Sequence, residues 1–218
     1  MRRRLVRIAG YLSAGVVTAA VGLVVTMAAL AGCTVTVEPP TDVADPVTVF
    51  LLDHDRHASL VLPTDQPGTY INYATGDWEY YALNNASAFN ALAALLLPTD
   101  TGLGRRPIVC PPSLRQVVAN TPVPTDEAFA IEVDRAKVRA LRDDLDAVFE
   151  AADHEPVFND AYDLTFVKHP QTYSLFRNSN RMVADWLETL DCRVSGIVVW
   201  SDWQVDRAEA YRAAGDPQ

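Results

Sequence analysis

The sequence has few basic residues, and this limits the partners that the protein can have. The chain of 218 residues carries 18 Lys and Arg against 28 Asp and Glu, a formal net charge of −10. An acidic surface repels phosphate backbones, so nucleic acid is not expected as a partner. No internal repeat is present either.

Cysteine and histidine are also scarce, with three and four residues. Cys110 and Cys192 lie in apolar contexts, which permits either a disulfide or two buried free thiols. His54 and His57 stand three apart in "DHDRH", but a closed zinc site needs about four ligands. No distant Cys–His pair supplies the remaining ligands. We therefore expect no metal and no cofactor.

The amino terminus has the pattern of an export signal. "MRRRLVR" precedes an uncharged run from Ile8 to Gly32, as in a signal peptide, although the run is also long enough for an uncleaved membrane anchor. "LAGC" at Leu30 to Cys33 resembles a bacterial lipoprotein processing site. The motif predicts removal of residues 1–32, lipidation of Cys33 and attachment to a bacterial membrane outside the cytoplasm. Thr34 follows in place of an inner-membrane retention aspartate, which favours the outer membrane if the host has one.

Removal of this signal would leave one acidic domain on a short linker. The remaining 186 residues contain 14 basic and 28 acidic side chains, a net charge of −14, because four arginines are lost and no acidic residue is. Residues 33–46 are rich in Pro, Thr and Asp and are interpreted as a flexible tether after the lipidated cysteine. Residues 47–218 suit a single domain.

The periodicity of the domain predicts an α+β fold, with an antiparallel sheet packed against helices. "VTVFLL" and "HASLVLP" form a predicted hairpin around "DHDR". Further strands are predicted at "GTYINYA", "WEYYAL", "RPIVC", "AFAIEV" and "SGIVVW", with a turn at Thr75–Gly76–Asp77. Helices are predicted for Ala86 to Leu97, after a cap at Asp134, from Ser179 onward, and in the terminal "VDRAEAYRAAG".

Ser179 lies where a predicted helix begins, in "FRNSNRMVADWLETL". Serine is a favoured N-cap, so a purely structural role explains it. A nucleophile is favoured at the same place, because the helix dipole and the free amides stabilise a developing anion. The sequence leaves both interpretations open.

His57 is the best candidate for a base that would activate Ser179. It starts a predicted strand directly after a polar turn, where a side chain is both exposed and rigidly held. A third group should hold the far ring nitrogen of such a base. Asn72, on the neighbouring predicted strand, is the first candidate for this orienting role, and Asp77 is the alternative.

Four stretches resemble the pattern of domain of unknown function 2459, a family of exported bacterial proteins: "VFLLDHDRHASLVLP", "YINYATGDWEYYAL", "AFAIEVDRAKVRAL" and "YSLFRNSNRMVADWLETLDCRVSGIVVW". That family is in turn similar to a circularly permuted NlpC/P60 papain-like group. The resemblance implies a papain-like fold, with His57 as the family histidine. Ser179 stands before Asn180 where the family has cysteine.

Two hypotheses about function follow. Serine depends on its base far more than cysteine does, so the exchange at Ser179 favours a degenerate papain-like domain that binds a peptide, cell-wall or acyl ligand without turnover. The alternative is an active hydrolase or acyltransferase that uses Ser179 and His57. In either case Asn180, Tyr173 and His169 are the expected binding residues, and protein partners are not predicted.

Overall fold

The computed structural model describes residues 34–85 and 97–213 of the chain. These residues form an α+β structure with a large antiparallel sheet, as the sequence predicts. Its strands are β1 (Val35–Glu38), β2 (Pro46–Asp53), β3 (Ala58–Pro63), β4 (Thr69–Asp77), β5 (Thr99–Val109), β6 (Glu127–Asp134), β7 (Val157–Asn159), β8 (Leu164–Tyr173), β9 (Arg193–Ser195), β10 (Trp203–Val205) and β11 (Glu209–Arg212). Its α-helices are α1 (Leu114–Ala119), α2 (Arg135–Glu150) and α3 (Ser179–Thr189), and a π-helical turn spans Trp78–Ala82.

Eight strands form one antiparallel sheet in the order β11-β6-β2-β3-β4-β5-β8-β7. Its central strands are buried on both faces, which explains their continuous apolar runs in place of strict alternation. One face, with Leu51, Leu60 and Ile131, packs against α2 and α3. The other face, with Leu52 and Val61, packs against α1. The predicted hairpin around "DHDR" is confirmed by the β2–β3 pairing.

Helices α2 and α3 cover one face of the large sheet. The Asp134 side chain caps α2 by accepting from the Ala136 amide at 2.8 Å, as predicted. Met182, Val183, Trp186 and Leu187 form the buried face of α3. This burial fixes α3 against the central strands, so the start of α3 has a defined position beside the start of β3.

The interpretation of residues 33–46 as a flexible tether is wrong for Val35–Glu38, which form β1. This strand pairs with β9 and β10 in a separate three-stranded sheet. Val35 and Val37 are fully buried in the same apolar cluster as the large sheet and α3. Alternating Thr and Val suit a strand that is buried on one face.

Four other predicted elements are also corrected by the structure. "WEYYAL" forms the π-helical turn, and Thr75–Gly76–Asp77 are the last residues of β4. In "SGIVVW" only Ser195 belongs to a strand, while Val198 and Val199 are buried in a turn. The terminal segment predicted as a helix contains β11, whose backbone pairs with β6.

Two predictions fall outside the described residues. These are the apolar helix over Ala86 to Leu97, of which only Leu97 is described, and the signal with Cys33. Within the part of the chain that the structure describes, no helix has the length and apolar character needed to cross a membrane.

Cys110 and Cys192 are free and buried. They belong to different apolar clusters, Cys110 on the α1 face of the sheet and Cys192 beside α3. Burial raises the pKa of Cys110, and burial together with the Asp191 carboxylate raises the pKa of Cys192 to about 12. Both thiols are therefore protonated and unreactive at neutral pH.

Candidate functional site

His57 and Ser179 meet in the folded chain although 122 residues separate them. His57 directly precedes β3, and Ser179 is the first residue of α3. Helix α3 packs on β3 and β4, which places its start beside the start of β3. The Ser179 Oγ lies 2.9 Å from His57 Nδ1, a normal hydrogen-bond distance. The predicted proximity of these two side chains is therefore confirmed.

Asn178, and not Ser179, caps α3. The Asn178 backbone is extended, and its Oδ1 accepts from the Arg181 amide at 3.0 Å. Its Nδ2 donates to the carbonyls of Val199, at 2.7 Å, and Leu175, at 3.0 Å. The interpretation of Ser179 as a plain N-cap is therefore wrong. The side chain of Asn178 caps the helix, and the Ser179 hydroxyl contacts His57 instead.

The capping assignment predicts unequal costs for two neighbouring substitutions. Asn178→Ala should lower the free energy of unfolding by at least about 2 kcal/mol, because it removes a cap and two bonds donated to carbonyls, one of them buried. Ser179→Ala removes the hydroxyl contacts with His57 and Tyr173 and should lower it by about 1 kcal/mol. Urea unfolding measures both. Ser113→Ala is a matched control, since Ser113 caps the short helix α1 through one bond to the Gln116 amide.

The far nitrogen of His57 is bonded to Tyr81. The Tyr81 hydroxyl meets His57 Nε2, and the two rings stand edge to face with centroids 4.7 Å apart. The predicted orienting roles of Asn72 and Asp77 are therefore not supported. Asn72 Oδ1 is buried without a hydrogen-bond partner in the described structure. The Asp77 carboxylate is engaged by the Tyr80 amide and the Thr99 hydroxyl.

The local backbone explains how Tyr81 reaches His57. Asp77 caps the π-helical turn by accepting from the Tyr80 amide at 2.8 Å, which turns the chain back over the end of β4. Gly76 leaves room for the ring, because a Cβ at this position would lie 2.4 Å from Tyr81 Cδ2. No other residue type leaves the space that the tyrosine occupies.

His57 is neutral at physiological pH. Burial, with smaller contributions from His54 and Arg56, lowers its pKa to about 4. Its partner Tyr81 is a neutral hydroxyl that can accept or donate, so it neither fixes one tautomer nor offsets the charge of an imidazolium. His57 can therefore accept a hydrogen bond from Ser179, but it is a poor acceptor of a proton.

A pocket of about 190 Å³ lies beside this pair. Tyr173, Leu175 and Trp200 contribute to its walls. Burial raises the pKa of the Tyr173 hydroxyl to about 12, with hydrogen bonding to Ser179 acting in the opposite direction. The Trp200 Nε1 is buried without a partner in the described structure. The pocket thus offers an uncharged hydroxyl and an indole donor next to Ser179.

The other two predicted binding residues differ in their placement. Asn180 is buried next to the site, where its Nδ2 donates to the Arg56 carbonyl at 3.0 Å and so ties α3 to the loop that carries His57. It does not line the pocket. His169 lies on β8 and lines a different surface pocket together with Lys168 and His154. The prediction that His169 lines the Ser179 site is wrong.

His54 has a structural role. Its Nδ1 donates to the Pro124 carbonyl at 2.8 Å, so its neutral Nε2 accepts from the Ser59 hydroxyl at 3.0 Å. Burial lowers the pKa of His54. Among the residues that the structure describes, no group of three or more His, Cys, Asp or Glu side chains is placed to hold a metal ion.

Tyr81 and Asn178 are the residues of this site that the sequence did not single out. The signal for Asn178 is its position one residue before the helix, since Asn is as good a cap as Ser. Tyr81 gives no such signal, because it is one of three aromatic residues in the segment "WEYYAL". Comparisons with models of known families, with curated proteins and with solved structures found no match for this chain.

Proposed function

We propose that the protein is a membrane-tethered bacterial lipoprotein whose papain-like domain binds a peptide, cell-wall or acyl ligand beside Ser179 and His57 without turning it over. The observation that carries the proposal is the environment of His57. The pKa of His57 falls to about 4. Its Nε2 contacts the neutral hydroxyl of Tyr81, whereas a working base needs a fixed hydrogen-bond acceptor at this nitrogen.

A serine nucleophile needs a base whose pKa lies near the working pH. Proton transfer from a hydroxyl to an imidazole that resists charging is strongly unfavourable. A buried carboxylate at the far nitrogen would reverse this by stabilising the imidazolium, but Tyr81 occupies that place. The site therefore favours holding a ligand over reacting with it.

The placement of the pair supports the papain-like part of the proposal. A histidine at the start of a central strand and a reactive-type residue at the first position of a helix are what the resemblance to domain of unknown function 2459 and the NlpC/P60 group implies. In this chain His57 precedes β3 and Ser179 begins α3, with a hydrogen bond between them. Ser179 replaces the family cysteine.

The lipoprotein part of the proposal rests on "LAGC" at Leu30 to Cys33. We expect intact-mass analysis of the membrane fraction to show loss of residues 1–32 and addition of a diacylglyceryl group at Cys33. Cys33→Ala should abolish both changes. A Cys33→Ala protein that is still processed and lipidated would contradict this part of the proposal.

An active hydrolase or acyltransferase is the second candidate. The 2.9 Å contact between Ser179 Oγ and His57 Nδ1 favours it, because activated serines make this contact. The free amides and the dipole at the start of a helix also stabilise a developing oxyanion. Tyr173 would then contact the substrate, and Asn180 would hold α3 against the loop that carries His57.

A fluorophosphonate probe separates the two candidates, because it labels only activated serines. The binding proposal predicts no labelling of Ser179 above the level of the Ser179→Ala protein, together with shifts of the Leu175 and Val199 methyl signals when a stem peptide or a medium-chain acyl ester is added. Labelling that is lost in both Ser179→Ala and His57→Ala would instead establish the enzyme.

A further inference from the structure

A second pocket adjoins the Ser179 pocket. It has a volume of about 180 Å³ and shares His57 and Tyr81 with the first pocket, but none of the other lining residues. Neither Ser179 nor Tyr173 reaches it. The His57–Tyr81 pair thus separates two small pockets, of which only one contains the serine.

The second pocket is lined by apolar and uncharged polar side chains. Val123, Leu164 and Phe166 supply apolar surface, and among the residues that the structure describes no Asp, Glu, Lys or Arg lines it. Burial lowers the pKa of both His54 and His57, so these rings add no charge at neutral pH. A charged ligand would lose its hydration here without gaining a counter-ion, so an occupant has to be neutral.

Asn72 supplies one polar atom that needs a partner. Asn72 lines the pocket and is 5% exposed, and its Oδ1 is buried without a hydrogen-bond partner in the described structure. Among the other polar groups that line the pocket, Ser59 bonds to His54 and both His57 nitrogens have partners, while the Thr75 hydroxyl is also buried without a partner in the described structure. Buried polar atoms are almost always hydrogen-bonded, so the free oxygen indicates a donor that arrives with a ligand.

Water is a poor occupant of this pocket. One molecule takes up about 30 Å³ of liquid volume, so several would fit, but Val123, Leu164 and Phe166 offer them no hydrogen bonds. A dry cavity of about 150 Å³ accepts benzene. A volume of about 180 Å³ therefore accommodates a ring-sized apolar group with one small polar group attached.

We propose that this pocket binds a neutral carboxamide with a compact apolar group, whose N–H donates to Asn72 Oδ1. The proposal does not rest on the function proposed for Ser179, because the serine does not line this pocket. It assigns Asn72 to ligand binding in place of the orienting role that its sequence position had indicated.

Three probes of nearly equal shape test the proposal: benzamide, acetophenone and benzoate. Only benzamide is both neutral and a donor. In a titration of the wild-type chain followed by methyl NMR, benzamide should shift the Val123 and Leu164 signals and bind about tenfold more tightly than acetophenone, the ratio expected for one buried hydrogen bond. Benzoate should bind more weakly than either neutral probe.

Two variants test whether the preference for benzamide depends on Asn72. Asn72→Leu should remove the preference for benzamide over acetophenone while acetophenone binding remains, and Leu175→Ala, which alters only the first pocket, should leave the preference unchanged. Equal binding of benzamide and acetophenone to the wild-type chain would overturn the proposal even if Asn72→Leu fails to fold. It would also be overturned by shifts confined to Leu175 and Val199, or by no shift at the solubility limit.

Discussion

Ser179→Cys is expected to create a thiol that ionises about 1 to 2 pH units below an ordinary cysteine of pKa about 8.5. The new sulfur would take the place of an oxygen 2.9 Å from His57 Nδ1, at the positive end of α3. A thiolate supplies the negative charge that a buried imidazolium lacks, so the two charges stabilise each other. Iodoacetamide labelling as a function of pH measures the midpoint.

Two further variants make this result specific. His57→Ala in the Ser179→Cys background should return the midpoint towards that of a free thiol, because the partner charge is lost. Ser195→Cys, at an exposed position of β9, should behave as an ordinary cysteine. Cys110 and Cys192 should not contribute, since both are buried with raised pKa values. A Ser179→Cys thiol with the pKa of an ordinary cysteine, unchanged by His57→Ala, would mean that the site has no papain-like character.

Asp53→Asn is expected to remove a large part of the pH dependence of stability. Asp53 ends β2 and is buried, and burial, with Glu127 and Asp126 nearby, raises its pKa from 3.8 to about 7 against the hydrogen bond from Ser201. The folded state therefore holds this proton more tightly than the unfolded state. Its stabilising contribution is complete below pH 3.8 and is lost as the pH rises to about 7.

A shift of this size corresponds to roughly 4 kcal/mol. The free energy of unfolding of wild-type protein should fall by up to this amount between pH 4 and pH 8 relative to Asp53→Asn, as measured by urea unfolding at each pH. Ser201→Ala should steepen the fall in the wild-type background but leave the Asp53→Asn curve unchanged in slope. Parallel curves for wild type and Asp53→Asn would show that the Asp53 pKa is not raised.

The central strands were predictable because a continuous run of apolar side chains indicates a strand that is buried on both faces. "VTVFLL" and "AFAIEV" are apolar runs that form β2 and β6, and Asp134 is a strong local cap. The positions of His57 and Ser179 were also predictable, because each residue lies at the boundary of a strand or helix with a clear sequence pattern. For such elements, local sequence and tertiary packing favour the same structure.

The missed elements depend on contacts between distant parts of the chain. β1 is four residues long and forms because Val35–Val37 pair with residues 203–205, and β11 forms because Glu209–Arg212 pair with β6. Neither partner is visible in the local pattern. "WEYYAL" has the composition of a strand, yet the Asp77 cap turns it into a π-helical turn. The sequence therefore indicates an orienting residue on β4, while the side chain that reaches His57 comes from the turn that follows.

Direct titration of His57 by NMR tests whether this site can activate its serine. Imidazole carbon and nitrogen shifts of the wild-type protein, assigned with His57→Ala, should show a neutral ring from pH 8 down to about 5, with a midpoint near the value of about 4. The Nδ1 signal should report a hydrogen-bond acceptor, and Ser179→Ala should alter it. A His57 midpoint at or above the ordinary value of 6.5 would contradict the weak-base assignment and favour the active enzyme.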